Sequence, residues 1–133
     1  MSEKHAHAVQ DMYKAFGRGD VKAILDHLAD DVDWAFNVAA SDVPWHEPIK
    51  GKANIPRFFA SLGHVDMKVF QPREMIHSGD HVITHIHLEY VVKKTGKAVN
   101  MEQLHWWTFN SQMKVSRMRH YEDTAQVLKA WHS

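Results

Sequence analysis

Imidazole titrates near neutrality, with an unperturbed pKa of about 6.5, so two histidines facing one space can divide the roles of base and acid. The sequence holds twelve histidines and no cysteine. Two of the twelve stand in LHWWTFNSQMKVSRMRHYEDTA, residues 104–125, where His105 precedes Trp106 and Trp107, and His120 lies between Arg119 and Tyr121. A second pattern, His85-x-His87, has the spacing of two metal ligands on one strand face; its plain alternative is a solvated or interface face. Without cysteine, disulfides, thiolate nucleophiles and zinc–thiolate sites are excluded.

The elements that must position these residues follow from apolar periodicity. Val9, Met12, Tyr13 and Phe16 recur at helical spacing, as do Val21, Ile24, Leu25 and Leu28 after the break GRGD, where Asp20 is a candidate N-cap. Ala29-Asp30-Asp31 is expected to close that second helix and residues 32–37 to form a strand. Residues 38–50 hold two prolines and little periodicity and read as a loop. Ile55, Phe58, Phe59 and Leu62 predict a third helix, with Pro56 in its first turn.

The second half alternates. Residues 65–78 predict a strand bulged near Pro72, and 81–93, 98–109 and 114–122 predict three more, joined by SGD, KKTGKA and NSQM. Asp123 caps a short terminal helix carrying Val127, Leu128 and Trp131. Helices followed by antiparallel strands predict an α+β fold with the helices on one sheet face, as a single domain over 1–133.

Strand parity sorts the chemistry by face. Val82, Thr84, Ile86, Leu88 and Tyr90 form a core side, so His85 and His87 point away from it. Gln103, His105, Trp107 and Phe109 share one side of the next strand, and Glu102, Leu104, Trp106 and Thr108 the other. A tryptophan on each face implies that both are covered. Helices cover one, and a second subunit is expected on the other, with Trp106 at a homodimer interface and Glu102 beside it. Met118, His120 and Glu122 share the inner side of the last strand, the wall of a cavity rather than a filled core. Arg117, Arg119 and Tyr121 face outward, where the arginines can meet a partner's carboxylates.

Composition narrows the partners. Lysine plus arginine equals aspartate plus glutamate, giving zero net charge, which disfavours nucleic acid. No run approaches the roughly 18 apolar residues of a membrane span, and the polar opening MSEKHAHAVQDM is not a signal peptide, so the expected compartment is the cytoplasm. Nothing in the sequence asks for a cofactor.

Several phrases carry a resemblance. MYKAFGRGDVKAILDHLADDVDW resembles the opening of SnoaL-like proteins, EPIKGKANIPRFF their loop and third-helix entry, and KVSRMRHYEDTAQVLKAW their last strand and closing helix. The chain thus resembles the SnoaL-like, ketosteroid-isomerase-like branch of the nuclear-transport-factor-2-like superfamily. The resemblance implies a cone-shaped fold: three helices packed on a curved antiparallel sheet that encloses a pocket, with a short C-terminal helix. It also implies a small apolar or aromatic ligand, a dimer through the outer sheet face, and isomerase, cyclase or hydrolase chemistry.

The residues depart from the known mechanisms of that superfamily. The aspartate base of the steroid isomerases falls at Phe36, their tyrosine one residue from Tyr13, and their oxyanion-hole aspartate at His105. The carboxylates and arginine of the epoxide hydrolases fall at Gln103, His105 and His120. The resemblance therefore implies a pocket with His105 and His120 as acid and base, Gln103 orienting a carbonyl or water, and Tyr13 donating a hydrogen bond. Its apolar lining is Trp34, Phe36, Trp45, Phe58, Phe59, Trp107 and Met118. Trp45 and His46, in VPWHEP, lie at its mouth as a lid. A non-catalytic binding or assembly module is the alternative. A metal held by the two histidines and Glu122 is a further one, opposed by the 6 to 7 Å separating positions 120 and 122 along a strand.

Overall fold

A computed structural model describes residues 2–133. The first apolar stripe forms helix α1, Ser2–Gly17, and buries Val9, Met12 and Ala15. Helix α2, Val21–Leu25, starts at Asp20, whose side chain accepts a hydrogen bond from Ala23 N. Helix α3 runs Ile55–Ser61 with Pro56 in its first turn, where no N–H is needed. Helix α4, Thr124–His132, is capped by Asp123, which accepts from Gln126 N.

Six strands follow in chain order: β1 (Leu28–Phe36), β2 (Ile49–Lys50), β3 (Val65–Ser78), β4 (His81–Val92), β5 (Ala98–Phe109) and β6 (Val115–Tyr121). They form one sheet in the order β2-β1-β6-β5-β4-β3. Burial alternates along β4 and β5 as parity requires, with Val82, Thr84, Ile86, Leu88 and Tyr90 inside on β4 and Gln103, His105, Trp107 and Phe109 inside on β5. Pro72 sits on β3, an edge strand, at a register shift between Pro72 and Glu74, where its missing N–H breaks no ladder bond. Gly79 and Gly96, at φ of 57° and 71°, make the turns before β4 and β5.

Three expectations are corrected. Leu28, Ala29, Asp30 and Asp31 belong to β1, not to the end of α2. The fourth apolar position of that stripe is buried all the same, because Leu28 reaches the core from a strand paired with Val115. A register shift between Leu28 and Asp33 lets Asp30 and Asp31 stay exposed. Residues 38–50 are not wholly loop: Pro44–His46 make a turn of 3-10 helix, and β2 pairs with β1. The sheet is mixed rather than antiparallel, because β1 and β6 run parallel. Most of the chain lies between them, ample length for a crossover.

Register delivers the functional side chains to one line. Met75, Thr84, His105, His120 and Phe36 are successive partners across β3, β4, β5, β6 and β1. Val82, Trp107, Met118 and Trp34 form the adjacent row. A one-residue slip of β5 or β6 turns its histidine outward. Among the described residues, no helix is long and apolar enough to cross a membrane.

The two aspartate caps are the polar contacts that start α2 and α4. Asp20→Ala and Asp123→Ala are each expected to cost about 1 kcal/mol, read as a lower urea midpoint at unchanged m-value.

Candidate active site

The inner face of β5 and β6 carries a chain of buried polar groups with one direction. Gln103 Nε2 donates to Glu122 Oε1 at 2.9 Å. An amide nitrogen only donates, so Gln103 Oε1 is left to accept from His105 Nε2–H, at 2.6 Å. That tautomer leaves His105 Nδ1 as an acceptor, and the Tyr13 hydroxyl donates to it at 2.8 Å. Tyr13 in turn accepts from Trp107 Nε1 at 3.1 Å. On the other side, His46 Nε2 meets Glu122 Oε2 at 2.8 Å, both side chains almost wholly buried. Two arms therefore converge on one carboxylate.

His120 stands outside this chain. Its ring lies flat on Phe36, centroids 3.8 Å apart, and edge-on to His105 at 4.8 Å. Nδ1–H donates to Ala35 O at 3.1 Å. Nε2 is then a lone-pair acceptor, and it has no protein partner among the described residues. Trp34 Nε1 and the Tyr90 hydroxyl are buried donors with no partner either. All three residues line a cavity of about 80 Å³, smaller than the roughly 150 Å³ known to take up benzene. Phe16, Phe59, Met67 and Phe70 line it and are only half-buried.

Burial sets the electrostatics. It holds His105 well below the ordinary imidazole value, reinforced by neighbouring His120. It lowers His120 to about 3, against the stabilising bond to Ala35 and with the nearby His46 and Arg119 adding to the fall. Both rings are therefore neutral at pH 7. Burial also raises the Tyr13 hydroxyl above its usual range, and raises that of Tyr90, with the Glu122 charge adding to the latter.

The structure brings Tyr13, Gln103, His105 and His120 together, and Trp34, Phe36, Trp45, Phe58, Phe59, Trp107 and Met118 line the cavity. His105 is engaged at both ring nitrogens, by Gln103 and Tyr13, whereas His120 keeps Nε2 open. His46 is not on the cavity wall. It lies behind Phe36, 4.9 Å between centroids, and contacts Glu122 and Ser41. Nor is VPWHEP a loose lid: Trp45 is buried, edge-on to Tyr90 and Trp131.

Glu122, which strand parity sets beside His120, is the residue on which both polar arms converge, a meeting that local pattern does not reveal. On the outer face, Glu102 takes hydrogen bonds from both His85 and His87, and the bonds of His87 itself, to Glu102 first and then to Glu89, raise it above the ordinary imidazole value. Arg119 pairs within the chain with Asp33, at 3.1 Å. Among the described residues, no group of three or more histidine, aspartate or glutamate side chains is placed to hold a metal ion.

A conical sheet closed by helices over an aromatic cavity defines a class of small pocket proteins. The model of the SnoaL-like domain family matches residues 9–118, and the chain belongs to that family. No curated protein matches it. Among solved structures, it is similar to an NTF2-like protein from Burkholderia xenovorans, at 24% identity over 98% of this chain and 97% of that one, with a TM-score of 0.86. It is also similar to an NTF2-like protein of unknown function from Burkholderia pseudomallei, at 23% identity over 100% of both chains, TM-score 0.87. A third similar structure is TerC co-crystallised with polyporic acid, at 24% identity over 98% and 99%, TM-score 0.80. These similarities establish the nuclear-transport-factor-2-like fold.

Neutral burial has a measurable cost in acid. Between the ordinary histidine value of 6.5 and the folded value of about 3, the unfolded chain binds the proton that folded His120 refuses. Stability therefore rises with pH in this window and is lost on acidification, by about 1.4 kcal/mol per pH unit for each such histidine. Urea titrations at pH 4 to 6.5 are expected to show His120→Gln with a slope shallower by about that amount.

Proposed function

We propose that the protein binds a small, flat, largely apolar molecule in this cavity and holds one hydroxyl of it on His120 Nε2. The observation that carries this reading is the unpartnered imidazole acceptor of His120 in a largely aromatic cavity, beside the unpartnered indole N–H of Trp34, ring centroids 5.7 Å apart. A hydroxyl for His120 next to a carbonyl oxygen for Trp34 matches both, which selects a hydroxy ketone, its enol, or an acidic phenol. Aromatic walls supply the remaining contact. TerC, similar in fold, was crystallised with polyporic acid, which makes that compound a natural first ligand to try.

An isomerase or cyclase reading uses the same contact. His120 Nε2 takes a proton from carbon or oxygen beside a carbonyl and returns it at another atom, while the Tyr13 hydroxyl turns from His105 to the substrate oxygen. Hydrolysis needs only that water replace the carbon acid at His120. A folded value of about 3 makes His120 a weak base, which favours binding over catalysis because a general base works best with its pKa near the operating pH.

We further propose that the outer sheet face pairs two copies. Ile76, Leu104 and Trp106 are 60%, 43% and 36% exposed there, and Ile76 and Trp106 both flank Ile83 in register. Native mass spectrometry is expected to show a dimer, and Leu104→Lys a monomer; a monomeric parent protein rejects the pairing.

Tropolone, a ring with a hydroxyl beside a carbonyl, tests the pocket against tropone, which lacks the hydroxyl. Ligand-observed NMR is expected to show tropolone bound and His120→Leu weakening it tenfold or more, about 1.4 kcal/mol, with tropone unaffected by the change. Equal loss for both compounds, or none, removes His120 from the reading.

A further inference from the structure

The second arm that ends on Glu122 reaches the surface. Ser41, an exposed residue between β1 and β2, places Oγ 2.8 Å from His46 Nδ1. His46 Nε2 lies 2.8 Å from Glu122 Oε2. With the Nε2 proton on the glutamate side, Nδ1 is the acceptor and the Ser41 hydroxyl donates to it. This is the serine–histidine–carboxylate order of a nucleophile, its base and the group that orients the base, with the two imidazole nitrogens exchanged relative to the common arrangement. Two features favour activation over a plain turn contact. The histidine and the carboxylate are buried, where their interaction is strengthened by the low local dielectric, and the serine alone meets solvent. In addition, Val43 N–H donates to Ser41 Oγ at 3.1 Å, which holds its rotamer and favours negative charge on the oxygen.

Ser41 also borders a surface groove of about 670 Å³, separate in its walls from the His120 site except at Trp45 and Phe58. Val43, Pro44 and Ile49 give it an apolar lining and Arg57 a cation, the latter held through Nε by Glu47 at 2.9 Å. We infer that Ser41 is an acylable nucleophile, with His46 as general base and Glu122 as its orienting carboxylate, acting on small carboxylic esters that lie in this groove.

The step balances within these residues and the ester. Oγ attacks the carbonyl carbon, its proton passes to His46 Nδ1, and the carbonyl π pair moves to oxygen. Collapse of that intermediate breaks the carbon–oxygen bond to the alcohol, and the departing oxygen takes the proton from Nδ1. Water, activated by the same nitrogen, then cleaves the acyl-serine to the acid. Glu122 stabilises the imidazolium in both halves.

An alkyl fluorophosphonate on the folded full-length protein tests this, with Ser111 and Ser133 as exposed internal references. Peptide mapping is expected to find Ser41 labelled at least ~100-fold faster than either, the scale of one positioned base. Ser41→Ala, an exposed change that leaves the fold intact, is expected to lose the label and the turnover of p-nitrophenyl acetate. Glu122→Gln is expected to slow labelling of Ser41 by ~10-fold or more. Should that variant unfold, the comparison of Ser41 with Ser111 in the parent protein still decides. Ser41 labelled no faster than Ser111, or Ser41→Ala hydrolysing the ester at the parent rate, overturns the assignment. Tropolone binding reads the His120 site by itself, so failure of one site does not imply failure of the other.

Discussion

Glu122 is the point on which the interior is organised. Its side chain is 2% exposed, and a carboxylate withdrawn from water costs several kcal/mol unless its oxygens are matched. Gln103 and His46 match them. From that requirement the proton positions of the whole inner face follow in sequence: the amide of Gln103 is oriented, the tautomer of His105 is set, and the hydroxyl of Tyr13 must donate. A polar network of this kind rigidifies when complete and is costly when one member is missing. It explains why a small aromatic core tolerates so many nitrogens and oxygens.

The same network divides the histidines by task. His105 and His46 are links, each bonded at both ring nitrogens, His105 between Tyr13 and Gln103 and His46 between Ser41 and Glu122. His120 is bonded once, to the backbone of β1, and stacked on Phe36, so its second nitrogen is the free one. Two imidazoles with centroids 4.8 Å apart thus have different chemistry because their neighbours differ. The outer pair, His85 and His87, is different again. Partly exposed and joined by Glu102, it ties β4 to β5 through surface contacts of small energetic worth in solvent.

The inner surface of β1, β5 and β6 is built from residues that depend on one another. Phe36 supplies the flat surface on which His120 stacks, and His105 accepts from Tyr13 while donating to Gln103, which one ionised aspartate cannot do. The buried carboxylate of Glu122 sits just past the end of β6, two residues beyond His120.

Much of the architecture was legible in residue order. Period-3.6 stripes and Asp20 and Asp123 caps located the helices, and period-2 alternation located β3 to β6 and put His105, His120 and Glu122 on their inner faces. Leu28 was misassigned because a helical stripe and a following strand can bury the same core position. The parallel pairing of β1 with β6 was illegible, since local pattern carries no information about the direction of a distant partner. The amino-acid sequence by itself determined which residues face inward, because side-chain direction is a local property of the backbone. That His46, Gln103 and Glu122 meet, and hence which imidazole nitrogen is free, came only with the folded structure, because hydrogen-bond partners 19 to 76 residues apart are set by register and loop closure rather than by neighbours in the chain.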